Sequence, residues 1–347
     1  DAWGDVPFTN ALRGIDQLNP SYDQQEQIYN GLIAMLDDAI SKIDPSAPTP
    51  GTDDLMFNGN MNQWRRFANS LKLRIYLRQA YVRPSVAQAG IQQMVANGAN
   101  FLQIGENADV DFVNQTLNRN PIYQTAFVFR GGVDIVASNT SIDYLTSTND
   151  PRISAFYSPA EQGTNAGSIV GVDQGVESTP ARTGTQANRL SKPSPTVAGP
   201  TSPVPFMTAA ESFFLRAEAV ARGWMPGNAE DLYADGIRAS FNYLGVPEDA
   251  AFIAARRAAL LAETTVEGKV EEIVTQKWVS FNGTEGFEAW TELRRTGYPS
   301  FIEPSAASTL AAGIIPRRLT YPNTEATRNS NYPGLKEIIV PVWWDVN

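Results

Sequence analysis

The sequence predicts a mainly α-helical protein of tetratricopeptide-like stacked helical hairpins, with large irregular loop regions and a few short strands. Three observations support this prediction. Apolar residues recur at helical spacing over several segments. Two successive segments alternate large and small side chains, as a packed helical hairpin requires. Two long stretches rich in Pro and Gly show no regular period, so they are predicted to be loops.

The hairpin pattern is clearest between Thr208 and Phe241. Large and small residues alternate there at helical steps: Phe213, Ala217, Val220, Ala229, Tyr233 and Gly236. The small residues predict where the two backbones approach each other. Thr208, with Glu211 three residues later, has the pattern of a capping box. Gly223 marks the end of the first helix, and Asn228 can cap the second.

Further amphipathic helices are predicted on both sides of this hairpin. They cover residues 22–43, 62–83 and 85–97 before it and 247–260, 270–281 and 286–295 after it. Pro84 separates the second from the third because a residue before proline disfavours helical geometry, and Ser85 is placed to cap the third. Pro247 opens the first helix after the hairpin. These helices supply the predicted scaffold.

Two regions lack any helical or strand period. Ser158–Pro205 is rich in Pro, Gly, Ser and Thr, and Gly297–Asn347 is interrupted repeatedly by Pro. Loops of this length inside a compact domain are uncommon and are usually functional or disordered. The last residues, IIVPVWWDVN, are predicted to form a short strand that carries Trp343 and Trp344.

Composition excludes several classes of function. The 347 residues carry a formal net charge of −10, which argues against binding to nucleic acid or to anionic lipid. The chain has no Cys and no His, so thiolate nucleophiles, Ser-His-acid triads and ordinary zinc sites are excluded. No apolar run reaches the length of a membrane-spanning helix. Carboxylate chemistry remains open.

No cofactor or metal is predicted. The acidic pairs Asp53-Asp54 and Asp109-Asp111 lack the glycine and final glutamate of an EF-hand loop, so they are interpreted as loop and cap acids. Gly131-Gly132 is not part of a nucleotide-binding fingerprint.

Eight short motifs follow one another along nearly the whole chain. They are WGDVPFTNAL (Trp3–Leu12), PSYDQQEQIYNGLIAMLDDAI (Pro20–Ile40), WRRFANSLKLRIYLR (Trp64–Arg78), IDYLTSTNDPR (Ile142–Arg152), FLRAEAVARGW (Phe214–Trp224), LYADGIRASF (Leu232–Phe241), EEIVTQKWVSF (Glu271–Phe281) and WTELRRTGYP (Trp290–Pro299). Together they resemble the SusD/RagB-like family of outer-membrane nutrient-binding lipoproteins. The resemblance is to the branch described as starch-binding and associating with the outer membrane.

The resemblance implies a location and a partner. Such proteins are outward-facing lipoproteins of the outer membrane that cap a SusC-like TonB-dependent transporter and capture nutrients, often glycans. Family members begin with a lipidated cysteine and further helices before the GD-P segment. Because Asp1 lies just ahead of that segment here, we expect a fragment without the anchor and the opening helices, soluble by itself.

The resemblance also implies a domain plan. We expect residues 1–347 to form one SusD-like domain that lacks its N-terminal part. Its helical scaffold would cover residues 15–98 and 206–297. Loop-rich regions facing the ligand would cover residues 99–205 and 298–347.

Aromatic residues outside the predicted helices are candidates for ligand binding. Sugars present C–H faces to aromatic rings and hydroxyl groups to polar side chains. The candidates are Trp3, Tyr123, Phe129, Phe156, Tyr157, Asn165, Arg182, Trp343 and Trp344, with Phe127, Asn120 and Asn139 in similar loop contexts. Aromatic residues at helical spacing are predicted to be core instead: Trp64, Phe67, Phe213, Tyr233 and Trp278. Arg294 and Arg295 are predicted to pair internally with Glu288 or Glu292.

These observations favour a non-catalytic protein that binds a nutrient, with a glycan as the expected ligand. Two alternatives stay open. A carboxylate-based glycoside hydrolase would need two acids facing each other across a cleft. A helical-repeat scaffold for peptides or proteins would bind along its helix faces, without an aromatic patch in the loops.

Overall fold

The computed structural model describes residues 1–44, 46–132, 134–176, 188–311 and 313–347. The chain is mainly helical with a few short strands, as predicted. The elements, in chain order, are α1 (Gln25–Lys42), α2 (Met61–Arg78), α3 (Pro84–Ala96), β1 (Ala108–Val110), α4 (Asn139–Ser147), α5 (Ile153–Phe156), β2 (Tyr157–Ser158), β3 (Lys192–Pro193), α6 (Pro195–Ala198), β4 (Val204–Met207), α7 (Ala209–Ala221), α8 (Ala229–Leu244), α9 (Ala250–Ala262), α10 (Val266–Ser280), α11 (Gly286–Thr296) and α12 (Asn323–Arg328). A 3-10 helix (Gly14–Gln17) and a π-helix (Tyr123–Phe129) complete the set.

The strands form two small antiparallel pairs. β1 pairs with β4, and β2 pairs with β3. The strand predicted at the C-terminus is not formed. Residues 342–345 turn back instead, with the Asp345 N–H donating to the Val342 carbonyl at 3.0 Å. This turn carries Trp343 and Trp344 into the protein.

Helix ends differ from the prediction at two places near the N-terminus. α2 ends at Arg78, because the Gln79 N–H bonds three residues back to the Tyr76 carbonyl and begins a series of turns. α3 begins with Pro84 at its first position, which a proline fits well, rather than with a cap at Ser85.

The predicted hairpin is present as α7 and α8. The Thr208 hydroxyl accepts a hydrogen bond from the Glu211 N–H at 3.3 Å, and the Asn228 side chain accepts one from the Asp231 N–H at 2.8 Å. The predicted capping box is only half formed because the Glu211 carboxylate pairs with Arg74 instead. Gly223 follows the end of α7 with a φ of +73°, as a helix-terminating glycine should.

The crossing of α7 and α8 depends on a residue without a side chain. A Cβ atom at Gly236 would lie 2.7 Å from Cε1 of Phe214, a ring that is fully buried. Ala217 and Tyr233 are also fully buried in the same apolar cluster. The alternation of large and small residues in the sequence therefore indicates a close approach of the two helices.

We expect Gly236→Ala to destabilise the protein. Overpacking a filled core costs about 1–3 kcal/mol and alanine gains roughly 1 kcal/mol over glycine in a helix, so the net loss is up to about 2 kcal/mol. Urea unfolding at neutral pH measures the difference. Gly286→Ala in α11 is the control, because no atom lies within 4 Å of its added Cβ, and it should cause no loss. Equal effects of the two changes would contradict the close crossing.

Four of the helices meet around a buried ionic network. Arg295 of α11 bonds to Glu218 of α7 at 2.8 and 2.7 Å, and to Glu292 of its own helix at 3.0 and 2.6 Å. Arg78 of α2 bonds to Glu292 at 2.7 Å, and Lys277 of α10 lies 3.2 Å from the same carboxylate. All five side chains are buried.

The network holds three cations against two carboxylates, and Glu288, 2.6 Å from Arg78, supplies a third carboxylate. Burial raises the pKa of Glu292, but Arg295, Lys277 and Arg78 outweigh burial, so the net pKa lies well below its usual range. The predicted ion pair of Arg295 with Glu292 is confirmed. For Arg294 the prediction is wrong, because its guanidinium donates to the carbonyls of Asp1 and Arg317 and stacks on Trp290.

The acidic pairs Asp53-Asp54 and Asp109-Asp111, predicted from the sequence to be loop and cap acids, have different surroundings. Asp54 accepts hydrogen bonds from the backbone N–H groups of Met56, Phe57 and Gly59, so it stabilises a turn as expected of a loop acid. Asp109 lies in β1 rather than in a loop. Burial and the negative charge of Asp111 raise the pKa of Asp109 to about 6.

We therefore expect Asp109→Asn to stabilise the protein at neutral pH. The pKa of Asp109 is higher in the folded chain than in the unfolded one, where it is about 3.9. The folded chain therefore holds the Asp109 proton more tightly than the unfolded chain does. The stability that Asp109 contributes is complete below about pH 4 and is lost as pH rises through about 6. Thermal melts should give Asp109→Asn a higher Tm than the unmodified protein at pH 7.5 and an equal Tm below pH 4. Asp53→Asn, in an exposed loop, is the control, and a difference independent of pH would contradict the assignment.

Within the described ranges, no helix has both the length and the apolar character that a membrane span requires.

Candidate functional site

A cleft of about 640 Å³ lies where the helical scaffold meets both irregular regions. Its volume falls within the range typical of small-molecule sites. We call it the aromatic cleft. Its walls come from α4 and the residues before it, the end of α10, α11, and the described residues of the segment 302–316. The residues that define it are Ser138, Ser141, Phe156, Tyr157, Trp278, Phe281, Asn282 and Trp290.

One wall of the cleft carries a fixed cluster of rings. Trp278, near the end of α10, packs edge-on against Tyr144 and Phe301, with ring centroids 6.1 and 5.5 Å apart. Tyr144 and Phe301 stack on each other at 5.1 Å. Edge and stacked contacts of this kind hold aromatic rings in one orientation. Trp278 therefore presents a rigid apolar surface.

Trp290 of α11 is held from two sides. The Arg294 guanidinium carbon lies 3.4 Å from the centre of the ring, within cation–π range. The indole Nε1–H donates to the Pro316 carbonyl at 2.8 Å. This hydrogen bond also ties the segment 302–316 to the helix, so the ring and that wall of the cleft are positioned together.

Polar groups lie among these rings. The Asn282 side chain lies 3.1 and 3.0 Å from the Tyr157 hydroxyl through its Oδ1 and Nδ2 atoms. Its Nδ2 also donates to the Ser141 hydroxyl at 3.1 Å. The Ser138 hydroxyl is buried and has no hydrogen-bond partner among the described residues. An unpaired hydroxyl of this kind can be satisfied by a ligand or a bridging water.

The wall formed by residues 302–316 is anchored to the other irregular region. The Ala306 N–H donates to the Gln174 carbonyl at 2.8 Å. Gly175, with a φ of +81°, allows this approach, because a Cβ there would lie 2.2 Å from the Ser305 hydroxyl. The cleft thus joins two parts of the chain that are more than 100 residues apart in the sequence.

The structure brings two of the predicted ligand residues to this cleft. Phe156, the last residue of α5, and Tyr157, the first of β2, both line its wall. They are 1% and 6% exposed, so they support the wall more than they offer free surface.

The tryptophan pair at the C-terminus lies elsewhere. Trp344 is 0% exposed, its Nε1–H donates to the Asp1 carboxylate at 3.0 Å, and Arg294 lies 4.8 Å from its ring. Trp343 is partly buried between Tyr29 and Arg83, at 5.6 and 4.9 Å. Both therefore act in packing, and we leave them out of the proposed site.

Residues near 120–130 were predicted to lie outside helices, and that prediction is wrong. Tyr123–Phe129 form a π-helix. Tyr123 and Phe127 stack on each other at 5.8 Å, whereas Phe129 is 71% exposed. Asn120 caps this helix by accepting from the N–H groups of Ile122 and Tyr123.

The remaining candidates are scattered. Trp3 lies in a second cavity formed by the two ends of the chain. Asn165 is exposed in a turn, where its carbonyl accepts from the Ser168 N–H at 3.0 Å. The Asn139 side chain bonds to Asp173 at 2.7 Å. Arg182 lies outside the described residues.

Sequence reasoning missed three residues of the cleft. Trp278 was assigned to the core because of its helical spacing, and neither Trp290 nor Asn282 was considered for binding. One signal could have found them. Trp278 stands near the end of a predicted helix, four residues before the Asn282-Gly283 turn, where a helical side chain can border a loop.

The site offers no obvious metal centre. Within the part of the chain that the structure describes, no group of three or more acidic side chains is arranged to hold a metal ion.

Comparisons with known proteins place this geometry in context. A SusD-like family model, described as "Starch-binding associating with outer membrane", matches residues 1–322. A structure described as a chitin-binding protein is 29% identical with a TM-score of 0.84, and the match covers 100% of this chain and 77% of that one. A chitin-binding SusD homolog from Flavobacterium johnsoniae is 26% identical with a TM-score of 0.83, over 100% and 77% of the two chains.

A further similar structure is a SusD homolog from Bacteroides uniformis. It is 26% identical with a TM-score of 0.86, over 100% of this chain and 78% of that one. No curated protein matches the sequence.

Proposed function

We propose, from the premise that this chain belongs to the SusD-like family described as starch-binding and associating with the outer membrane, that it captures glycans without converting them. In this proposal the aromatic cleft holds the glycan. The protein then passes it to a SusC-like TonB-dependent transporter at the cell surface.

The observation that carries the proposal is the mixture of groups in the cleft. Trp278 and Trp290 offer fixed apolar rings, while Asn282, Ser141 and the unpaired Ser138 hydroxyl offer hydrogen bonds. A sugar ring has both an apolar C–H face and a rim of hydroxyl groups, so it matches both kinds of side chain. The chitin-binding descriptions of two similar structures support the same ligand class.

The acid content of the cleft supports binding rather than hydrolysis. Among the described lining residues the only carboxylate is Glu303, which is exposed. Most glycoside hydrolases require two carboxyl groups that flank the scissile bond. Near the cleft, Arg295, Lys277 and Arg78 outweigh burial and hold the pKa of Glu292 well below its usual range, whereas burial and the charge of Glu211 raise the pKa of Glu285 well above it. Neither carboxylate lines the cleft.

Delivery to a transporter rests on the family description, which states association with the outer membrane. The fold supports it through rigidity. Helices α2, α7, α10 and α11 are joined by the buried ionic network and can serve as a fixed platform, while the cleft lies toward the irregular regions.

The test is direct binding of maltohexaose and chitohexaose to the purified protein by isothermal titration calorimetry, followed by chromatography of the sugars. We expect micromolar to millimolar affinity for at least one of them, since the cleft is open to solvent and buries only part of a glycan. Both sugars should be recovered intact. Absence of binding to either sugar and to a glycan array would refute glycan capture, and shorter products would refute the non-catalytic assignment. Binding confined to a peptide array would favour the peptide scaffold instead.

A further inference from the structure

The two ends of the chain meet in a second, smaller cavity of about 430 Å³. We call it the terminal notch. Its defining residues are Trp3, Val6, Tyr22, Tyr321, Glu325 and Asn329. It shares no lining residue with the aromatic cleft.

The walls of the notch are braced against each other. The Leu319 N–H donates to the Ala2 carbonyl at 2.8 Å, and the Tyr321 hydroxyl donates to the Asp5 carbonyl at 2.7 Å. The Trp3 Nε1–H donates to the Thr320 carbonyl at 3.1 Å. A cavity whose walls are already fixed loses little entropy when a ligand enters.

Aromatic rings line the notch in fixed orientations. Tyr22 and Tyr321 are edge-to-face with centroids 5.4 Å apart, and Tyr321 meets Tyr332 in the same way at 6.0 Å. Trp3 is 38% exposed although its indole nitrogen is hydrogen-bonded. The notch therefore keeps a large ring partly open to solvent in a braced position.

A carboxylate with one oxygen that accepts no hydrogen bond from the described residues lies among these rings. Glu325 accepts through Oε2 from the Tyr22 hydroxyl at 2.6 Å and from the Asn329 side chain at 3.3 Å. No hydrogen bond to its Oε1 is found among the described residues. Burial and the hydrogen bond to Glu325 raise the pKa of Tyr22 above its usual value, so its hydroxyl remains a donor to Oε2 at neutral pH. Oε1 is left as an acceptor for a hydroxyl group from outside.

We propose that the terminal notch is a second glycan-binding site, which takes one sugar ring of a neutral oligosaccharide against Trp3 with a hydroxyl bonded to Glu325. The inference rests on the proposed glycan-binding function. It adds a second binding site, apart from the aromatic cleft, in which Trp3 supplies the aromatic ring and Glu325 supplies the hydrogen-bond acceptor. The Glu325 carboxylate suits a neutral polyol, all of whose hydroxyl groups can donate, and Arg328, which also lines the notch, adds a donor for the oxygens of the same ligand.

Fluorine NMR of protein labelled with 5-fluorotryptophan tests the proposal at the site itself. The chain contains seven Trp residues, and the variants Trp3→Phe, Trp278→Phe and Trp290→Phe assign the signals of the notch and the cleft. Chitotriose and maltotriose are the probes, because short sugars report each site independently. We expect one of them to shift the Trp3 signal, and to do so with the same Kd, within about twofold, in the Trp290→Ala variant.

A second measurement removes the ring. Trp3→Ala should weaken binding at the notch at least about tenfold, as loss of an aromatic anchor usually does, with the Trp278 signal still titrating normally. Trp3→Phe keeps a ring, and calorimetric titration of the Trp290→Ala/Trp3→Phe protein should retain binding that Trp290→Ala/Trp3→Ala loses. Thermal melts of each variant verify folding.

The outcomes separate this inference from the function on which it rests. If the cleft signals respond and the Trp3 signal does not respond to either sugar, the second site is refuted and glycan capture stands. A Trp3 shift that disappears in Trp290→Ala also refutes it, because the two sites would not be independent. If no tryptophan signal responds to either sugar, both proposals fail.

Discussion

Replacing Arg295 with alanine is expected to lower the free energy of unfolding by about 3–5 kcal/mol, the largest effect on stability that we predict for a single residue. Arg295 is 0% exposed and makes four short hydrogen bonds to two carboxylates. Its loss leaves Glu218 and Glu292, which are 1% and 3% exposed, without their main counter-charge.

The cost arises from the charges that remain. A buried carboxylate without a counter-charge carries the free-energy cost of desolvation, and no ion pair offsets that cost. Glu292 retains Arg78 and Lys277, and Glu218 retains Arg222 at 2.9 Å, so the remaining ions are only partly balanced. The ion pair that joins α11 to α7 is lost, whereas Glu292 still pairs α11 with α2 and α10.

Urea unfolding followed by circular dichroism measures this loss. Arg257→Ala is the control, because Arg257 forms an ion pair with Asp231 at the surface, with both side chains about half exposed. Exposed pairs contribute little, so the control should change stability by less than about 1 kcal/mol. Similar effects of the two substitutions would show that the buried network is not important for stability. Arg295→Met combined with Glu218→Gln should recover part of the loss, because it removes the stranded charge as well.

Local features of the fold were predictable because neighbouring residues encode them. Thr208 and Asn228 cap their helices through contacts three residues away, and the Gly236 crossing follows from a helical repeat. The helices of the scaffold were found for the same reason, since amphipathic periodicity is visible within a window of about 11–18 consecutive residues. Their ends were less certain where proline and turns compete, as between Arg78 and Pro84.

The ionic network and the cleft depend on contacts that no local pattern reports. Arg295 lies 77 residues from Glu218, and Arg78 lies 214 residues from Glu292. Trp278 has the spacing of a core residue, yet its position at the end of α10 lets it border the cleft. For the same reason Trp344 was taken as a ligand residue although the final turn buries it. Whether an aromatic side chain is exposed depends on tertiary packing. The sequence alone therefore could not show which aromatic residues border a cleft and which are buried in the core.

Replacing Trp290 with alanine is expected to weaken glycan binding at the aromatic cleft about 100-fold, or about 2.7 kcal/mol. The ring supplies apolar surface for a sugar face, and its removal also frees the Arg294 guanidinium and the Pro316 carbonyl that now hold it. The cleft then loses both its platform and the hydrogen bond that positions the wall of residues 302–316. A single rigid aromatic anchor commonly dominates the binding energy of such a site.

The Trp278 signal in fluorine NMR reports this loss during titration with chitohexaose or maltohexaose, because Trp278 lines the cleft and does not line the terminal notch. Trp290→Phe should recover most of the affinity, because it restores a ring without the hydrogen bond to Pro316. Phe206→Ala removes a ring that is 58% exposed and lines neither the cleft nor the notch, and it should leave the Kd within about twofold. If Trp290→Ala and Phe206→Ala bind equally well, the cleft is not the glycan site, because its central ring would contribute no more than an arbitrary surface aromatic.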